Sequence, residues 1–367
     1  MEIIMVIARV LAFGLGFVSV VFTLTSAIRT FVLPRSDNVF LTRLVFQINF
    51  YLFRLRLHFT NTYAQRDRVM AFFAPIALLI TPIVWIICVM IGYMGMFWAV
   101  GVQPWYNAFW VSGSSLLTLG FAPVEGLGQM ILAFSEAALG LGLVALLIAY
   151  LPTMYTAFSK REAAVTMLEV RAGSPPSAIT MIERFQRIHG LERLGEQWAT
   201  WEVWFTELEE SHTTFTPLVF FRSPRPDYSW VTAAGAVLDA AALAASTLAI
   251  PQDPQANLCL RAGYLALRSI ADFFDAPYNP DPTPDDPISI TRQEFDAVYE
   301  RLANYGIPVK PDQDQAWQDF AGWRVNYDTV LLVLASLTMA PYAPWSSDRE
   351  ITFRPSLFGR KRKNENE

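Results

Sequence analysis

The 367-residue sequence predicts an all-α membrane protein carrying an all-helical cytoplasmic domain, and three observations predict it. The chain is 53% hydrophobic and 14% aromatic, too apolar for an ordinary soluble protein. Its charges are segregated: residues 69–159 contain no Lys or Arg and only two carboxylates, Glu125 and Glu136, whereas charges recur throughout the chain after Lys160. Three segments, 3–27, 70–100 and 129–158, also reach the roughly 20 apolar residues that a helix needs to cross a bilayer. The implied organisation is an N-terminal helix and basic linker over 1–69 and a membrane domain over 70–159. A helical domain over 160–350 and a basic, polar tail over 351–367 follow.

The first segment reads as an uncleaved anchor. No charge precedes Arg9 apart from Glu2, the apolar run is long, and no small-residue cleavage site is followed by polar sequence. The linker stretch "NVFLTRLVFQINFYLFRLRLHF" mixes aromatics with Arg, as a helix lying in the membrane interface does; a short soluble helix packed on the cytoplasmic domain is the alternative. The second segment carries Pro75 and Pro82, which membrane helices tolerate when the freed carbonyls find other partners.

Basic residues set the orientation. Arg29, Arg35, Arg43, Arg54, Arg56, Arg66 and Arg68 lie between the first two spans, and Lys160, Arg161 and Arg171 follow the third. The positive-inside rule puts both regions in the cytoplasm of a plasma-membrane protein, with the N-terminus and residues 101–128 outside.

Pro104 suits the start of a helix, and "PWYNAFWVSGSSLL" gives about three turns, too few to cross the membrane. Irregular chain, "TLGFAP", follows. Such a re-entrant segment must line an aqueous path, because non-helical backbone survives at membrane depth only where protein or water satisfies it. If several subunits bring these loops together, carbonyls of Thr118, Leu119 and Gly120 form rings that replace a cation's water shell. The short helix directs its partly negative C-terminal end at the same place.

The order span, short helix, "TLGFAP", span resembles the pore module of tetrameric potassium channels. The resemblance covers residues 70–158, about a quarter of the chain. It implies a homotetrameric pore-loop fold with K+ as the permeant ion. Thr118, Leu119, Gly120 and Phe121 match the family's Thr-Val-Gly-Tyr/Phe filter motif, and Ala122 falls at its second filter glycine. Trp110, eight residues before Thr118, matches a pore-helix tryptophan, and Ser115 matches an upstream threonine. Gly140 and Gly142 fall where a hinge glycine is expected, with Pro152 below them where some members kink the inner helix. Ala122 and Pro123 depart from the pattern. The family's glycine supplies a left-handed backbone that costs an L-residue roughly 1 kcal/mol or more, so the outer half of the filter is expected to differ and selectivity for potassium to be relaxed.

Glu136 lies about two turns into the third span and either bonds the short helix or filter backbone or faces a water-filled vestibule. Gly140 and Gly142 serve equally as close-contact positions between helices. After residue 160, apolar residues recur at helical spacing in "IERFQRIHGLERLGEQWATWEVWFTELEESH" and in four later stretches. Its Trp198, Trp201 and Trp204 form a stripe read as core or subunit interface. Residues 231–250 are nearly span-length, but Asp239 at the middle and the Ala content favour a buried soluble helix. "DAPYNPDPTPDDPIS" reads as a solvated connector, without the ordered ligands of a calcium loop.

Other chemistries find little support. Cys88 and Cys259 fall on opposite sides of the topology, and His58, His189 and His212 lack metal-ligand spacing. There is no nucleotide fingerprint, phosphate-binding loop or nucleophile elbow. The net charge of −5 makes nucleic acid an unfavourable partner, and no cytoplasmic ligand is identifiable. The expectation is a non-enzymatic, cofactor-free cation channel in the lipid bilayer. Its competitors are a non-conducting scaffold or sensor and a membrane-anchored enzyme.

Overall fold

The computed structural model describes residues 2–31, 39–251 and 253–349; Arg35 and the tail 351–367 lie outside them. The described chain is all-helical, and three helices are long and apolar enough to cross a membrane. The described residues divide into two compact units, one within 1–55 and 72–156 and the other within 56–71 and 157–349.

In the first unit, α1 (Glu2–Phe31) and α4 (Phe73–Ala99) pack through small residues. A Cβ on Gly16 would lie 2.3 Å from the Gly92 carbonyl oxygen, and one on Gly92 would lie 2.8 Å from that of Gly16. Backbones can approach this closely only where side chains are absent, the usual way for helices to associate without a hydrophobic driving force. Pro75 falls in the first turn of α4, where no intrahelical N–H is needed, and Pro82 lies inside the helix. Helix α2 (Phe40–Leu57) sets Phe46, Phe50 and Phe53 around Phe73, at centroid distances of 6.0, 5.8 and 5.8 Å. It leaves Phe40, Leu44, Ile48 and Leu52 exposed, as an interfacial helix would. Through residue 55 it belongs to the first unit. Helix α5 (Trp105–Leu116) is short, and α6 (Leu127–Ala172) runs 46 residues.

The second unit contains α3 (Tyr63–Met70), the end of α6, and α7 (Ala178–Arg187), α8 (Leu194–Thr214), α9 (Trp230–Ser246), α10 (Pro254–Asp272), α11 (Arg292–Asn304), α12 (Gln313–Arg324) and α13 (Asp328–Leu337). Placing α3 here moves the boundary expected near residue 69: Asp67 pairs with Arg222 at 2.8 Å, and Arg222 also donates to the Thr338 and Met339 carbonyls. Every residue of α9 except Ala245 is buried, and Asp239 meets Arg324 at 2.5 Å and the Tyr327 hydroxyl at 2.8 Å. Burial pushes the Asp239 carboxyl up from its ordinary range, while Arg324 opposes that shift. Arg324 also holds Asp328 and the Trp345 carbonyl, so a fully buried cation has its hydrogen-bonding demand met. Trp198, Trp201 and Trp204 are core residues, with Trp201 and Trp204 in an edge contact at 4.8 Å. A capping box, Thr291 with Glu294, starts α11. The Pro-rich loop is closed by the Asp286 carboxylate, which accepts from Asn279 and Thr283.

Candidate functional site: the loop between α5 and α6

The short helix α5 ends at Leu116, and the chain then runs in non-helical conformation to α6. Three positions in this loop have positive φ, Thr118 at 55°, Gly120 at 70° and Gly126 at 92°, while Leu119 between the first two does not. Glycine takes that region freely. A β-branched threonine there is an outlier that costs about 1–2 kcal/mol and persists only where its surroundings impose it.

Ser114 imposes it. Its carbonyl oxygen accepts from the N–H groups of Leu119 at 2.8 Å and Gly120 at 3.4 Å. Its hydroxyl oxygen accepts from those of Phe121 at 3.0 Å and Ala122 at 3.1 Å. Four successive backbone N–H groups therefore converge on one residue. In a planar trans peptide the C=O is antiparallel to the N–H of the same unit, and these four bonds are trans. The carbonyls of Thr118, Leu119, Gly120 and Phe121 consequently all point away from Ser114. None of them accepts a hydrogen bond from the described residues. Positive φ at Thr118 and Gly120, with Leu119 between them outside that region, accompanies this one-sided arrangement of consecutive carbonyls.

Supporting residues hold this edge in place. Ser112, fully buried on α5, lies 2.5 Å from Glu136 Oε1 on α6 and 3.2 Å from the Met90 carbonyl on α4. Glu136 therefore bonds the short helix, one of the two places expected for it. A Cβ on Gly140 would lie 2.0 Å from the Leu116 carbonyl oxygen, so α6 meets the end of α5 at a point where only glycine fits. Gly142 has open space, which assigns the close contact to Gly140. Pro152 lies within the continuous α6. The Trp110 ring sits 5.8 Å from that of Phe121.

One feature differs from expectation. Ser115, matched to the family's upstream threonine, gives the loop only its backbone carbonyl, which accepts from the Thr118 N–H at 3.0 Å. The side chain that organises the loop is Ser114, one residue earlier, with Ser112 below it. Both were legible as polar residues in an otherwise apolar helix, but their neighbours across α4 and α6 were not. Ala122 is not left-handed; in the TLGFA stretch the positive angles fall on Thr118 and Gly120. No family model, curated protein or solved structure matches the chain.

Proposed function

We propose that this chain is one subunit of a homotetrameric cation channel of the plasma membrane. It conducts potassium with relaxed selectivity through rings of backbone carbonyls contributed by Thr118, Leu119, Gly120 and Phe121. The observation that supports this reading is the one-sided carbonyl edge: four acceptors in sequence, unbonded, beside a short helix whose C-terminal end carries partial negative charge. A lone edge encloses nothing, and closed rotational symmetry around it turns four edges into stacked rings. Trp110 and Phe121 buttress the edge, Glu136 and Ser112 fix the short helix, and Gly140 seats it on α6. In this topology the N-terminus is outside and the second unit is cytoplasmic, where it assembles or gates the pore.

The test is ion flux from proteoliposomes under opposed potassium and sodium gradients. The native chain is expected to conduct potassium with measurable sodium leakage. Gly120→Val places a β-branched side chain at φ 70° and reorients the flanking carbonyls. It is expected to lower flux at least about tenfold without loss of assembly, the change in rate that about 1.4 kcal/mol produces. Native-like currents in an assembled Gly120→Val protein would remove this loop from the conduction path.

A further inference from the structure

In the second unit, a groove of about 710 Å³ opens between the last turns of α6, the end of α7 and the start of α8. Its charge is unusual for a chain of net charge −5. Arg171, Arg184 and Arg187 line it, and none of the three has a carboxylate within ion-pair distance among the described residues. Their hydrogen bonds go to neutral acceptors. Arg171 donates to the Met167 carbonyl, Arg184 to the Glu169 and Val170 carbonyls at 2.6 Å each, and Arg187 to the Tyr305 hydroxyl. The Arg193–Glu196 pair completes the polar rim.

The backbone adds a separate observation. Helix α7 ends in a Schellman arrangement, with the Gly190 N–H on the Phe185 carbonyl at 2.8 Å and the His189 N–H on that of Gln186 at 3.0 Å. The left-handed position, usually glycine, is His189 at φ 53°. An exposed imidazole is thus held at the groove by a conformation that costs an L-residue about 1 kcal/mol. Beside these groups the wall is apolar: Val170 is 76% and Ile188 69% exposed.

We propose that this groove is a binding site for an amphiphilic organic phosphate, its oxyanion head held by Arg171, Arg184 and Arg187 and its apolar portion lying on Val170 and Ile188. Planar guanidinium forks pair with phosphate oxygens two at a time. The uncovered aliphatic wall gives an apolar tail surface to bury. The site goes beyond the channel reading and stands whether or not the chain conducts. Its source is either a soluble organic phosphate or a phosphate-headed lipid.

The test titrates the full chain, in phosphatidylcholine nanodiscs, with hexyl phosphate, inorganic phosphate and hexanol, with binding read by calorimetry. Hexyl phosphate is expected to saturate and to bind at least about tenfold tighter than inorganic phosphate. Arg171→Gln with Arg187→Gln is expected to weaken it about tenfold or more, with an unchanged unfolding midpoint. Val170→Ser, as an independent variant, should narrow the preference for hexyl phosphate over inorganic phosphate. Absence of saturable binding, or equal affinity in the double Arg variant, overturns the site; equal affinity for hexyl and inorganic phosphate overturns its amphiphilic character. In nanodiscs doped with phosphatidic acid, loss of hexyl phosphate binding supports the site with the bilayer as its source. Unchanged binding supports it with a soluble source.

Discussion

Ser114 carries more of the candidate site than any residue in the loop itself. Its carbonyl and hydroxyl receive four N–H groups that would otherwise be orphaned, and it is almost fully buried. Ser114→Ala removes the hydroxyl acceptor from Phe121 and Ala122 while keeping the carbonyl. The expected local cost is about 1–3 kcal/mol per unsatisfied group. The readout is faster amide hydrogen exchange at 121 and 122 and reduced flux, with Leu119 and Gly120 less affected; unchanged exchange at 121 and 122 would show that the hydroxyl does not hold the loop. His212 in the second unit gives a second residue-scale prediction. It is fully buried, its Nδ1 faces the Leu208 carbonyl, and its Nε2 lies 3.0 Å from Arg161. Burial, then the Arg161 charge, holds its pKa well below 6.5. The unfolded chain therefore takes up a proton that the folded chain refuses once pH falls below 6.5, and stability declines from there downward at up to about 1.4 kcal/mol per pH unit. Denaturant midpoints measured between pH 7.5 and 5 should fall in the native chain, and this slope should shrink in His212→Gln. An equal slope in both would assign the loss to other groups.

At the scale of elements, the three helices long and apolar enough to cross a membrane were legible as apolar runs of that length. Helix α5 was legible from Pro104 and from its insufficient length. The Asp239–Arg324 pair was not, because 85 residues separate its members and no local pattern connects them. Asp239 alone carried the hint, as an ionisable residue in an apolar helix requires a partner somewhere. The glycine contact between α1 and α4 was equally hidden. Gly14 and Gly16 look alike in sequence, yet Gly14 has open space and Gly16 abuts the Gly92 carbonyl. Gly16→Leu should separate the helices and lower the thermal midpoint, by the about 1–3 kcal/mol typical of overpacking. Gly14→Leu should leave the midpoint unchanged. Equal effects in a thermal unfolding series would contradict the contact.

For the whole molecule, assembly and orientation are the testable properties. Native mass measurement in nanodiscs should give four chains per particle, and a stable monomer would end the pore proposal. Single cysteines at Gly126 and Ser174, both exposed, in a background lacking Cys88 and Cys259, should react with impermeant thiol reagents from opposite faces. Labelling of both from one face would contradict three spans. The second unit was legible as helical from its periodicity, but its boundary was not. The α3 segment joins it through Arg222, a pairing across 155 residues that composition cannot reveal.

The four N–H bonds to Ser114 are all made within one chain, so the carbonyl edge takes its shape before any neighbour arrives. In the proposed assembly, each subunit then supplies a finished quarter of every ring, and no partner can repair a misshapen one. Mixed populations would behave accordingly: the conducting fraction would follow the fourth power of the share of intact subunits, making a defective loop genetically dominant over a normal copy.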